Sequence, residues 1–160
     1  KLMYGSSGQQ EVLWILMLAF IIILEKKKSF VIIEEPEAHL FPIAQKNVVS
    51  LISLMVNSTD SRAIITTHSP YILTSLNILL YSDKIENGPK SKGTVVIAKN
   101  LRVNYKTFAA FKLENTRSGL SSMENLLDEE SHMISTDYID EVSSITNSEL
   151  ERLLDKEMDE

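Results

Sequence analysis

The sequence predicts an α/β fold with parallel core strands flanked by helices, and three observations carry that prediction. Two short, apolar, β-branched runs, Phe30-Val31-Ile32-Ile33 and Ala63-Ile64-Ile65-Thr66-Thr67, look like strands buried on both faces, as in a parallel sheet. Each is followed by a proline placed to open a helix, Pro42 and Pro70. The resulting strand–helix–strand–helix alternation is that of a layered core.

The elements follow in order. Ser7-Gly8-Gln9-Gln10 has the S-x-x-Q form of a capping box and predicts a helix from about Gly8 to Glu25. Lys26, Lys27 and Lys28 suit the C-terminal end of its dipole. The most apolar stretch, Val12 to Leu24, falls short of the roughly 20 residues a spanning helix needs, so a buried core helix is predicted and no membrane partner. Pro36 and Pro42 bracket a loop, and the helix opened by Pro42 runs to about Asn57. Ser69-Pro70 caps the next helix. Later, Thr94 to Ala98 and Thr107 to Leu113 predict strands, while Met123 to Asp128 and Thr136 to Met158 predict helices with acidic outer faces. Residues 1–85 thus form the core unit, and residues 86–160 a mixed, acidic C-terminal extension.

Composition narrows the chemistry. Cysteine is absent, which excludes disulfides, zinc-thiolate sites and thiol catalysis, and suits a reducing, cytoplasmic setting. Residues 1–113 carry 13 Lys and Arg against 8 Asp and Glu, whereas residues 114–160 carry 3 against 14. That acidic end is poor material for gripping a nucleic-acid backbone and reads as a solvated helical cap or an interaction tail. The chain begins with Lys1 and opens on a Gly/Ser-rich run rather than a signal peptide, and so reads as a piece of a longer protein.

Three motifs carry possible chemistry. Gly5-Ser6-Ser7-Gly8-Gln9-Gln10-Glu11 lies at a helix N-terminus, where free N–H groups and the dipole favour an anion and a glycine allows close approach. An ordinary capped helix has the same appearance. Phe30-Val31-Ile32-Ile33-Glu34-Glu35-Pro36-Glu37-Ala38-His39-Leu40 ends an apolar strand abruptly in two acids, at the sheet edge where ligands of open α/β folds bind. One acid could serve Mg²⁺ through its waters; the next could orient or deprotonate an attacking water. Ala63-Ile64-Ile65-Thr66-Thr67-His68-Ser69-Pro70 ends a second strand in a histidine able to bond a phosphate or that water.

Taken together and in this order, the motifs resemble the second half of ATP-binding-cassette ATPase domains. The wording Glu34-Glu35-Pro36-Glu37-Ala38-His39-Leu40 and Thr66-Thr67-His68-Ser69-Pro70 is similar to the soluble branch, which includes the OLD-family (overcoming-lysogenisation-defect), RecF-like and related AAA-annotated bacterial ATPases. The resemblance covers about residues 5–81. It implies a three-layer, P-loop NTPase-like lobe that uses ATP and Mg²⁺ and works as a head-to-tail homodimer, with an effector protein or DNA as possible partner. Residue by residue, it implies that Ser6, Ser7, Gly8 and Gln9 meet the γ-phosphate of ATP held by the opposite protomer. Glu34 takes the Walker B position and serves the metal, although the family usually has Asp there. Glu35 polarises the hydrolytic water, His68 is the switch histidine, and Pro36 to Leu40 cross between protomers.

A phosphate-binding loop of the form G-x-x-x-x-G-K-[ST] is not found. The nearest stretch, Gly88-Pro89-Lys90-Ser91-Lys92-Gly93-Thr94, lacks the lysine after its second glycine and falls after His68. The Walker A lobe is therefore expected upstream, and this chain alone is expected to hydrolyse no ATP. Two other readings compete. Glu34, Glu35, Glu37, His39 and His68 could form a metallohydrolase site, though the spacing is not H-E-x-x-H and Pro36 breaks helical pairing. Alternatively, the acidic C-terminal part could be a non-catalytic interaction module. No Toprim-like nuclease motif follows residue 100; His132 reads as a surface or structural residue, and Lys99, Arg102 and Lys106 as a solvated edge that could touch DNA.

Overall fold

A computed structural model describes residues 6–87, 95–115 and 121–135. Its first helix, α1 (Ser7–Glu25), starts at Ser6, whose hydroxyl accepts the Gln9 N–H while the Gln9 side chain accepts the Ser6 N–H. The capping box is thus Ser6 with Gln9, one residue before the Ser7–Gln10 box expected. Lys26 ends the helix in a left-handed conformation, its N–H reaching back to Ile22 and Ile23. No lysine lies in the last turn; Lys28 instead pairs with Asp60.

Strand β1 (Phe30–Glu34) leads through a loop to α2 (Pro42–Thr59), then to β2 (Arg62–Thr66) and α3 (Pro70–Glu86). Both helices have proline in the first turn, where the missing N–H costs nothing. Ser69 caps α3 by accepting the Tyr71 N–H. The strands pair in parallel, with Phe30 opposite Arg62 and Glu34 opposite Thr66. Strand direction and pairing therefore set both polar strand ends side by side.

One face of this two-stranded sheet is packed. Val31, Ile33, Ala63 and Ile65 meet Ala19 and Ile22 of α1 and Val48, Ile52 and Met55 of α2. Met55 is nearly inaccessible, a burial that contributes roughly 1.5–3 kcal/mol. The other face, bearing Phe30, Ile32 and Ile64, is exposed. The strands were expected to be buried on both sides, and the third layer of a three-layer lobe is not seen among the described residues. The expectation of a buried α1 is corrected in the same way. Its buried stripe is narrow, and Trp14, Phe20, Ile21 and Leu24 remain exposed. By length and composition alone, α1 is apolar enough to cross a membrane.

A second core joins Val49 of α2 to Ile72, Leu76, Leu79 and Leu80 of α3, with Ile134 from the later part of the chain. Here three expectations change. Residues 95–98 form no strand, because the N–H groups of Val96 and Ile97 donate to the Glu86 carboxylate instead of a sheet partner. Of Thr107 to Leu113, only the end is strand: a 3₁₀ turn spans Tyr105–Thr107, and β3 covers Phe111–Asn115. Met123 to Asp128 is not helical. Ser121–Asn125 is β4, antiparallel to β3, and Leu127–Asp128 is β5, paired with β6 (Met133–Ile134). The helix expected over Thr136 to Met158 and the glycine-bracketed stretch Gly88 to Thr94 lie outside the described residues.

Candidate functional site

The parallel register places Glu34 opposite Thr66, so the residues just beyond each strand end emerge at one sheet edge. The Glu35 N–H adds one more ladder bond, to the Thr66 carbonyl at 2.9 Å. Glu35 then takes a left-handed backbone, φ 42°, which turns the chain sharply off the strand. For a residue with a Cβ this conformation is sparsely populated and stores local strain, a feature common where a side chain must be aimed. Two tight turns follow, Ala38 N–H to Glu35 carbonyl and Leu40 N–H to Glu37 carbonyl, and His39 is again left-handed at φ 56°.

The result brings Oε1 of Glu35 within 3.2 Å of Nδ1 of His68. Both side chains remain more than half exposed, at the wall of an open cleft of about 490 Å³. A carboxylate and an imidazole so placed could act on one water or one phosphate oxygen. Glu34 ends β1 one residue earlier, exposed and on the uncovered side of the sheet with Ile32; it does not line the cleft.

Sequence reasoning missed how the two loops are joined. Glu37, named there only as a possible metal ligand, is buried, its side chain only 5 % exposed. Its Oε1 accepts the Thr67 hydroxyl at 2.6 Å and the His68 N–H at 3.1 Å. Gln45 of α2 is buried too: its amide donates to the Leu40 carbonyl, and its carbonyl accepts the Ser69 hydroxyl at 2.6 Å. No sequence signal marks the burial of either, since a polar residue in a loop or first helical turn is ordinarily solvated.

The N-terminus of α1 abuts this same loop. Gly8 is buried against the His39 carbonyl, and Glu11 lies 3.6 Å from Nε2 of His39. Ser6, Ser7 and Gln9 are exposed; Ser6 accepts a bond in the cap and keeps its hydroxyl proton to give. His39 lines the cleft with Glu35 and His68, while its Nε2 faces Glu11. Among the described residues no group of three or more His, Asp or Glu side chains is arranged to hold a metal ion, so the geometry lends the metallohydrolase reading no ligand set. Arg102 does not lie on the solvated edge expected: it is buried, paired with Glu86 and bonded to the Ile97 carbonyl. His132 stacks on Tyr105, ring centroids 4.4 Å apart.

With this geometry in hand, comparison with known proteins gives one result. Residues 1–73 match the family model described as an AAA ATPase domain. The match takes in α1, both strands, the acid pair and His68, and supports an AAA-type ATPase domain with a nucleotide-binding function. Neither a curated relative nor a solved structure matches the chain.

Proposed function

We propose that this chain supplies the water-activating and phosphate-sensing half of an ABC-type ATPase domain of the soluble, OLD/RecF-like branch. The observation that carries the reading is the 3.2 Å approach of Glu35 to His68 at the ends of adjacent parallel strands. Hydrolysis of a γ-phosphate needs a water held in line and charge stabilised on the transferring group. Glu35 orients that water and takes its proton. His68, sharing the site, bonds the γ-phosphate oxygen or the water and so couples nucleotide state to the loop that leads into α3.

Glu34 would reach a magnesium ion only through water, from outside the cleft: it is an exposed hard-oxygen donor at the strand's carboxyl end, and Mg²⁺ commonly uses one or two carboxylates plus substrate phosphates. When bound, the ion neutralises charge on the phosphate oxygens. Ser6, Ser7, Gly8 and Gln9 present a helix N-terminus to the γ-phosphate held by a second, head-to-tail protomer. The phosphate-binding loop comes from an upstream Walker A lobe. A lobe of that kind suits the exposed apolar face formed by Phe30, Ile32 and Ile64. The assembly acts in the cytoplasm, in bacterial DNA maintenance or phage defence, on DNA or through an effector protein.

The test is nucleotide-dependent association of the intact protein carrying Glu35→Gln. That substitution keeps the shape of the side chain but removes the base, so ATP should trap a stable dimer that wild type forms only transiently. A variant that stays monomeric at saturating ATP, or hydrolyses ATP at the wild-type rate, contradicts the reading.

A further inference from the structure

We propose that Glu37 is the positioning residue of this site: its carboxylate sets the His68 ring against Glu35. The two catalytic candidates sit on separate loops, and the β1–β2 ladder ends at Thr66, before His68. Beyond that point Glu37 takes over the connection. One oxygen, Oε1, gathers both the Thr67 hydroxyl and the His68 N–H, so the backbone of His68 is tied to the loop that carries Glu35. The same oxygen lies 3.9 Å from Nδ1 of His68, which places a second carboxylate beside the ring. Thr67 extends the chain, its hydroxyl oxygen accepting the Ser69 N–H at 3.0 Å.

The energetics argue against a purely structural origin. The second oxygen, Oε2, is buried and finds no hydrogen-bond partner among the described residues. A half-satisfied buried carboxylate costs stability relative to an apolar side chain of similar shape. A sequence selected for stability alone would not place one here; retention of such a group is common at functional sites. This proposal deepens the ATPase reading and rests on it for the pair's role, but the placement of His68 can be measured without nucleotide.

The experiment is ¹H–¹⁵N NMR of this chain, following the His68 backbone amide and ring nitrogens, with His132 stacked on Tyr105 as an internal report of folding. Glu37→Ala removes both the tether and the neighbouring charge; Glu37→Gln keeps an acceptor for Thr67 and His68 and removes only the charge. The expected result is a shift of the His68 amide in Glu37→Ala several times any change at His132, with the amide in Glu37→Gln close to wild type. His68 signals that stay in place in Glu37→Ala, or move as far in Glu37→Gln, overturn the proposal. If the His132 signature shows Glu37→Ala to be unfolded, Glu37→Asp carries the test. It keeps the charge but shortens the reach to Thr67 and His68: displacement of the His68 amide supports the proposal and an unmoved His68 overturns it. Absence of ATP hydrolysis by the intact protein, with His68 tethered as described, would instead count against the proposed function and leave the positioning role intact.

Discussion

Gly8 lies directly under the carbonyl of His39. A Cβ built on Gly8 would come within 2.2 Å of that oxygen and 3.2 Å of Leu40 Cδ2. The first contact is with backbone, which cannot swing aside as a flexible side chain can. Two effects of Gly8→Ala therefore compete. Alanine favours a helix over glycine by about 1 kcal/mol, while a forced shift of packed elements costs typically about 1–3 kcal/mol. At 2.2 Å the clash wins. Thermal melting of Gly8→Ala should show a midpoint lower by several degrees, at roughly 2–4 °C per kcal/mol for a chain of this size. A variant as stable as wild type would mean that the helix and the Pro36–Leu40 loop are not in contact.

Arg102 and Glu86 form a buried pair that ties the end of α3 to the segment after residue 95. Replacing Arg102 by alanine leaves the largely buried Glu86 carboxylate without its cation, held only by the Val96 and Ile97 N–H groups, and removes the bond to the Ile97 carbonyl. Breaking one partner of such a pair costs about 3–5 kcal/mol. Urea titration of Arg102→Ala should show a loss of that order, whereas Lys99→Ala and Lys106→Ala, both exposed, should change stability by less than about 0.5 kcal/mol. Equal effects at all three positions would argue that the pair is not formed.

Acid stability should depend on Asp60. The hydrogen bond from Lys28, then the Lys28 charge, hold its carboxyl below the usual carboxylate range. A depressed folded-state value contributes stability above the unfolded pKa of about 3.9, and the contribution disappears as pH falls through the lower folded value. Asp60 is a left-handed C-cap at φ 53°, a conformation asparagine also accepts, so Asp60→Asn removes the charge with little backbone penalty. Melting curves should place Asp60→Asn below wild type at pH 7 by a small, salt-sensitive margin that closes below about pH 3.9. A gap that widens in acid would reverse the sign and rule this linkage out.

Much of what positions the site is written locally in the chain. Phe30 to Ile33 and Ala63 to Ile65 are β-branched and apolar and end in polar residues, so strand type and the location of the polar ends follow from short-range pattern. Ser69-Pro70 and Pro42 similarly mark helix starts. The capping box was ambiguous for a definite reason: Ser6 with Gln9 and Ser7 with Gln10 both satisfy S-x-x-Q. The choice between them is not local. Met123 to Asp128 misleads because Met, Glu and Leu favour helices, while pairing with Phe111–Asn115 overrides that preference. The burial of Glu37 and Gln45 is invisible to pattern because it arises only when both loops meet. The open sheet face could not be anticipated either, since an apolar strand has the same sequence whether or not its second face is covered.

The most direct test of the account is a double-mutant cycle on ATP hydrolysis by the intact protein, using Glu35→Gln, His68→Ala and the pair. If the two side chains act on one water and one γ-phosphate, as their 3.2 Å separation suggests, their contributions cannot be independent. Each single variant should lose about 100-fold or more in kcat, a typical size for a general acid–base group, and the double variant should be within a few-fold of the worse single. Losses that multiply across the two sites, or wild-type turnover in either single variant, would contradict it.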